Sequence, residues 1–393
     1  MSPSLSTTLS TLSLPSCVMN ASGPRTGSAM ALSKIASSAS GAVVSKSATI
    51  EAQNGNPIPR TWKESEDGTG SAMNSEGLPN KGIDYYISKD TAQQSGGGSG
   101  AERKPYIVSI SGKNLDNNLE MMRRILAALD GGVAISAVEL NLACPNVIGK
   151  PIIAYDFVQM ETVLSSFSKL LAGRKKRVPM GVKMPPYFDA PHFRQAADII
   201  NKYRHVVSYV ATINTVGNAL HIDVDALMPT ISSNDGYAGL SGAAVKHIAL
   251  SNVRRLRSML HADVDVVGVG GVQSGQDAFE MILCGATAVQ VGTCHWSEGA
   301  GCFDRICAEL KEIMAENKFK SIEDLKGKIL PWSKAGAAKS RAVRKKRDDK
   351  AKSIKEKEEK ENQRIRNAAD FYKLLCAILI VVIAFLADKL RKS

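Results

Sequence analysis

Lys46 and Lys183 each sit near the end of a short apolar run, residues 42–47 and 179–185. A lysine seldom enters such a run without a partner, because an unpaired ammonium is expensive to take out of water. Cys144 ends a third run, within Asn-Leu-Ala-Cys-Pro-Asn at 141–146. A thiolate can take a proton from a substrate carbon, and the two asparagines suit a planar, amide-rich ligand. Most buried cysteines are only small hydrophobes; the strand end, the proline turn and the paired amides favour chemistry here. Asn20, Ser22, Ser47, Asn214 and Thr215 close other apolar runs. Gly270-Gly271 and Gly292-Thr293 close two more. Glycine lets exposed backbone N–H groups approach a phosphate closely, although a tight strand-to-helix turn would also use it.

Eight strand-like runs must position these residues: 17–22, 42–47, 105–112, 137–144, 179–185, 209–215, 265–271 and 288–293. Several are apolar almost throughout, as parallel strands buried on both faces are. Helical stretches fall between or after them at 117–129, 157–171, 190–203, 246–260, 275–283 and 302–317. The alternation predicts an α/β fold, a (β/α)8 TIM barrel, with a doubly wound sheet as the alternative. In such a barrel the carboxyl ends of the strands line the active site, and strands seven and eight often hold a phosphate. Residues 94–102 read as a flexible connection. The Gly-, Asp- and Ser-rich stretch 217–242 reads as an active-site loop or lid.

Charge divides the chain. The net charge is +12, and ten of those twelve excess charges lie beyond Leu330. The nearly neutral body is therefore not a nucleic-acid binder. The seven cysteines (17, 144, 284, 294, 302, 307 and 376) form no CxxC and no set with metal-ligand spacing, so reduced thiols and no metal are expected. The N-terminus lacks the basic start and apolar run of a signal peptide and reads as part of the barrel. Residues 333–367 are Lys-, Arg-, Glu- and Ala-rich without an apolar stripe, a solvated helix or linker. Residues 374–387 follow as 14 uncharged, mostly aliphatic positions. The expected domains are a barrel at 1–330, a basic linker at 331–370 and a transmembrane helix at 371–388.

The ordered motifs MNASG (19–23), SKS (45–47), NSEGLPN (74–80), NLACPNVIGKPIIAYDF (141–157), GVKMPPYFD (181–189), INTVGNAL (213–220), GVGGVQSGQDAFEMILCGATAVQVGT (268–293) and FDRI (303–306) resemble those of the dihydroorotate dehydrogenases, in particular the soluble, fumarate-reducing branch called class 1A. The resemblance covers the barrel but not the tail. It implies an FMN cofactor held by Ser22, Lys46, Ser47, Asn141, Lys183, Ile213, Gly242, Gly270, Gly271, Gly292 and Thr293. It implies dihydroorotate stacked on the flavin, held by Lys46, Asn74, Gly77, Leu78, Asn141, Asn146, Asn214 and Thr215, with Cys144 as the catalytic base. Oxidation to orotate would be followed by reduction of fumarate to succinate at the same site, in a homodimer.

The chain also departs from the family pattern. Glu76 stands where methionine is common, and an added carboxylate would not help an anionic substrate to bind. Thr215 replaces a more usual serine and keeps the hydroxyl, and the segment around Gly242 is less glycine-rich than usual. The tail is an addition, and its composition predicts a membrane anchor leaving the barrel in the cytosol. Basic residues on both sides favour the mitochondrial outer membrane, with endoplasmic reticulum and peroxisome as alternatives. The competing functional readings are NAD or a membrane quinone as acceptor, another FMN barrel reductase acting on a pyrimidine, and a tethered scaffold without activity.

Overall fold

The computed structural model describes residues 2–65, 70–96, 103–143, 152–174 and 177–392. The chain falls into two compact units, Met1–Ile329 and Leu330–Ser393. In the first, eight strands (Val18–Asn20, Val43–Val44, Tyr106–Ile110, Ala137–Asn141, Met180–Met184, Val207–Thr212, Asp265–Val269 and Ala288–Val291) form one parallel sheet. Each pairs with its neighbour in chain order from the second to the eighth, and the eighth pairs with the first. Seven lie within the runs anticipated from the sequence, and Val207–Thr212 overlaps the run at 209–215, starting two residues earlier. The seam between the first and second strands is bridged by one side chain. The Asn20 carboxamide donates to the Val44 carbonyl (2.7 Å) and accepts from the Val44 N–H (2.8 Å). Beside it, Gly41 N–H donates to Val18 O.

Helices cover the outside of this sheet. Phe157–Leu171 and Gly275–Leu283 have the anticipated bounds, and Leu115–Asp130, Ala190–Lys202, Lys246–Met259 and Gly301–Glu316 differ from expectation by one or two residues at the ends. Their starts are encoded locally. Asn114, Asp156, Asp189 and Ser274 each accept a hydrogen bond from the backbone N–H three residues on, satisfying an N–H that the helix itself leaves unpaired.

The barrel's interior is closed at one end by a hairpin, Thr7–Leu9 with Leu12–Leu14. Leu9, Leu12 and Leu14 are buried among Met19, Val44, Ile107, Tyr209 and Val267. Ser10 N–H donates to Asp265 Oδ2 at 2.7 Å. Asp265 opens the seventh strand, so the hairpin plugs the amino ends of the strands. The other end is roofed by a second sheet. Thr61–Lys63, Ser71–Asn74, Ala238–Gly242 and Val216–Ala219 form four antiparallel strands in that spatial order. The expectation of a loop at 217–242 is corrected here. Much of it is strand, including a small hairpin of Ile222–Asp223 with Met228–Pro229. Its glycines obscure the alternation, and Ala238–Gly242 takes one of its partners from some 165 residues away, as in Gly239 opposite Asn74. Of the anticipated connection at 94–102, residues 97–102 lie outside the described residues.

The second unit is dominated by one helix, Lys334–Lys392. It is exposed almost throughout, and its stretch Lys355–Arg391 contains a window long and apolar enough to cross a membrane, with none of that window buried.

Candidate active site

The carboxyl ends of the barrel strands converge on one pocket, roofed by the second sheet. Ser22, Lys46, Ser47, Asn141, Lys183, Ile213, Asn214, Thr215, Gly270, Gly271, Gly292 and Thr293 all line it, as do Asn74, Leu78 and Gly242 from the roof and its approach. Three contacts tie roof to rim. Thr293 Oγ1 donates to Ser241 Oγ (3.0 Å), Gln273 Nε2 donates to Gly70 O (3.2 Å), and Lys63 Nζ lies 4.5 Å from the centre of the Trp296 ring. Gly77 is not among the lining residues. It sits between two that are, Glu76 and Leu78, and its carbonyl accepts from Gln53 Nε2. Cys144 and Asn146 lie outside the described residues.

Lys183 occupies the pocket floor and is almost fully buried. Its Nζ donates to Gln290 Oε1 (2.7 Å), and Gln290 Nε2 donates to Glu139 Oε2 (2.7 Å). The Tyr209 hydroxyl reaches the same carboxylate at 3.4 Å. Burial pushes the Lys183 ammonium below the ordinary lysine range, and the Glu139 carboxylate opposes that shift. The buried charge thus has a counter-charge one amide away, the arrangement that makes a buried ammonium tolerable. Tyr209 is held well above its ordinary range, first by burial and then by Glu139, so it remains a neutral donor.

Along the wall, Ser22, Ser47 and Ser109 hydroxyls run in series at 3.2 and 2.9 Å. Asn214 Nδ2 donates to Ala143 O (3.0 Å) and lies 3.3 Å from Asn141 Oδ1, while Asn214 Oδ1 accepts from Thr215 N–H (2.9 Å). The two amides therefore fix each other's orientation. Among the described residues Thr215 Oγ1 is buried without a hydrogen-bond partner, as suits a hydroxyl offered to a polar ligand group. Lys46 Nζ pairs with Glu76 Oε2 at 2.6 Å.

The glycines at the far end divide by cause. Gly271 has φ +75°, and an added Cβ would fall 2.5–2.8 Å from Lys246 Cβ, Cα and N, so the protein itself requires glycine. Gly292 has an ordinary φ of −108°, and a Cβ there would meet nothing nearer than Ala21 Cβ at 3.7 Å. Neither packing nor backbone requires glycine at 292; its bare edge faces the pocket. A polar cradle at Ser22 and Ser47, a buried cation at Lys183 and open backbone at Gly292 fit a phosphorylated, ring-bearing cofactor such as a flavin mononucleotide.

Sequence reasoning missed Glu139, Gln290 and Ser109. The signal was present. Glu139 in Ala-Val-Glu-Leu-Asn and Gln290 in Ala-Val-Gln-Val are polar residues in the middle of apolar strands, as anomalous as the lysines that were picked out. Among the described residues, no cluster of His, Cys, Asp and Glu could hold a metal ion, and the described cysteines are all free.

An eight-stranded barrel with a buried lysine and convergent amides at its carboxyl mouth defines a (β/α)8 barrel with one polar pocket able to hold a cofactor and a small polar substrate together. The family model for dihydroorotate dehydrogenase matches residues 4–314. The chain belongs to the dihydroorotate dehydrogenase family, which is a family of flavoproteins. It is similar to dihydroorotate dehydrogenase A (fumarate) of Lactococcus lactis subsp. cremoris, 40% identical over 83% of this chain and 99% of that one. It is also similar to dihydroorotate dehydrogenase (fumarate) of Kluyveromyces lactis, 42% identical over 79% and 93%. By fold it is similar to two structures of the Eimeria tenella enzyme. The ferulenol complex has a TM-score of 0.67 at 20% identity, over 82% of this chain and 88% of that one. The ligand-free form has a TM-score of 0.68 at 20% identity, over 83% and 92%. Its assignment to the fumarate type rests on the first pair, and the likeness in fold on the second.

Proposed function

We propose that this protein catalyses FMN-dependent oxidation of (S)-dihydroorotate to orotate in pyrimidine biosynthesis, with fumarate as electron acceptor. The observation that carries the reading is the single pocket in which Lys46, Asn74, Leu78, Asn141, Asn214 and Thr215 face Lys183 and the glycine ends of strands seven and eight. The first group is suited to a carboxylate and the amide edges of a pyrimidine, the second to an anionic cofactor. Gly77 shapes the segment that presents Leu78, and Asn146 completes the amide set.

FMN held by these residues would supply a two-electron acceptor for the hydride lost from carbon 6 of the substrate. The chain's own residues do the rest. Cys144 takes the proton from carbon 5. Lys46 orients the substrate carboxylate. Asn141 and Asn214, already hydrogen-bonded to each other, read the ring amides, and the Thr215 hydroxyl hydrogen-bonds the substrate. Lys183 sets positive charge against the cofactor face where negative charge accumulates. Ser22, Ser47, Ile213, Gly242, Gly270, Gly271, Gly292 and Thr293 complete the cofactor contacts. After orotate leaves, fumarate occupies the same subsite.

The test is direct. The full chain, purified in detergent, should carry a yellow, releasable flavin and form orotate from dihydroorotate anaerobically when fumarate is supplied. A colourless protein that stays inactive after FMN is added would sink the reading. Turnover with NAD or a short-chain quinone, but not fumarate, would keep the enzyme and replace the acceptor. Turnover on 5,6-dihydrouracil but not dihydroorotate would assign a different pyrimidine reductase.

The same proposal includes anchoring. The window within Lys355–Arg391, preceded by a basic stretch that suits anionic lipid headgroups, supports a cytosolic barrel held to a membrane by its C-terminus. The mitochondrial outer membrane is the favoured location and a homodimer the expected assembly.

A further inference from the structure

Glu76 brings a carboxylate into a pocket otherwise disposed to receive one. Its Oε2 lies 2.6 Å from Lys46 Nζ, and the two side chains are only 12% and 8% exposed. The backbone around it is pinned from the preceding loop. Asn56 N–H donates to Glu76 O (2.8 Å), Asn56 Nδ2 donates to Ser75 O (2.9 Å), and Gln53 Nε2 donates to the carbonyls of Gly77 and Leu78 (3.0 and 2.9 Å). Gly77 has φ +67°, and a Cβ there would fall 2.3 Å from Asn56 Oδ1. The segment therefore cannot readily withdraw, and Lys46 is released only if the Glu76 side chain itself rotates. An anionic ligand arriving at Lys46 meets an ammonium already neutralised and a second negative charge beside it, an unfavourable juxtaposition where water is scarce.

We propose that Glu76 is an internal competitor for the anion subsite at Lys46, occupying the lysine in the unliganded protein and thereby setting the affinity for carboxylate-bearing ligands. The inference rests on the reading of this pocket as a dihydroorotate site. Two consequences follow from the pairing. Removing the carboxylate strengthens binding of orotate, dihydroorotate and fumarate but not of a neutral pyrimidine of similar shape. It also leaves a buried ammonium uncompensated, so the unliganded variant is less stable and recovers more stability when an anion binds.

The test uses the full-length, flavin-loaded protein and compares wild type with Glu76→Gln and Glu76→Met by calorimetric titration with orotate and with uracil. Orotate should bind about tenfold tighter or better to the variants, with uracil changing by less than about twofold, and orotate should raise the melting temperature more in the variants than in wild type. The KM for dihydroorotate should fall by more than kcat changes. If either variant folds, its titration decides the matter; if one folds only with orotate present, that dependence is itself the expected stability effect. Orotate binding that is unchanged or weaker in the variants, or uracil gaining as much as orotate, would overturn the inference while leaving the enzyme assignment intact. Failure of wild type and variants alike to bind orotate or oxidise dihydroorotate would overturn both.

Discussion

The chemistry of the site depends on charges placed where they would ordinarily be avoided. Lys183 is buried, and Glu139 reaches it only through the Gln290 amide. Because burial lowers its proton affinity, its positive charge disappears as pH rises through a value below the ordinary lysine range. On the proposed mechanism flavin reduction by dihydroorotate uses that charge and should therefore decline on the alkaline side earlier than an exposed lysine would dictate. Glu139→Gln removes the opposing influence and should move the decline to still lower pH, visible in stopped-flow traces at 450 nm. An unmoved alkaline limb would show that another group governs it. The same depression makes the folded state bind this proton more weakly than the unfolded chain. Its contribution to stability accordingly improves, rather than worsens, as pH rises through that window. Cys144→Ala should keep the flavin and slow its reduction by about 10²–10⁴-fold, the usual range for a lost general base; wild-type reduction rates would remove Cys144 from that role. Lys46, Lys183, Asn141 and Asn214 stand out in the sequence because a polar residue ending an apolar run is conspicuous. Asn146 is marked there only by sharing the motif of Cys144, and Asn74 enters only through the family resemblance. The pairing of Lys46 with Glu76 was not legible. Thirty positions separate the two, and a carboxylate's direction within a loop depends on backbone anchors, here Gln53 and Asn56, that have no local pattern.

Barrel strands and helices were readable because each carries its own instructions, a doubly buried apolar run or a capping side chain such as Asp156 or Ser274. The roof and the plug were not, for a common reason. Short strands such as Val216–Ala219 or Thr7–Leu9 mix small, polar and apolar residues and lack the continuous apolar run that marks the barrel strands, so packing rather than their own pattern specifies them. The plug is nonetheless structural. Leu9 and Leu14 are fully buried, and truncating either empties space at the barrel's centre. Leu9→Ala should cost about 2–5 kcal/mol, measured by urea unfolding of the full chain in detergent, with flavin content retained under native conditions. A change within the range of ordinary surface substitutions, roughly 0.5 kcal/mol, would mean that the hairpin is dispensable.

At the scale of the whole molecule, charge and hydrophobicity are concentrated after Leu330. An apolar stretch spanning 371–387 would be about 25 Å long as helix, slightly short of a typical hydrocarbon core, with Lys373 and the final basic residues positioned to reach the headgroups. Cell membranes extracted with alkaline carbonate should retain the full chain, whereas a chain ending at Leu330 should be released. Release of both alike would show that the tail is not an integral anchor. The tail's apolar character was plain from its composition. The continuity of Lys334–Lys392 as one helix was not, since residues 333–367 lack the apolar stripe by which helices are usually recognised.

The pairing of the first strand with the eighth has a consequence for how the protein is made. Val18 sits opposite Val289 and Asn20 opposite Val291, so no ribosome-bound intermediate shorter than about 290 residues can complete the ring. Until then Asn20 has its second-strand partner on one side and nothing on the other, and the apolar edges of a growing sheet stay open to wrong partners. The residues after Ile329 are still to be synthesised when closure first becomes possible. At about 5–20 residues per second the 44 residues of 330–373 occupy roughly 2–9 s, an interval in which the ring can shut before the apolar stretch 374–387 emerges. A barrel that closes during that delay is folded before the apolar stretch is exposed.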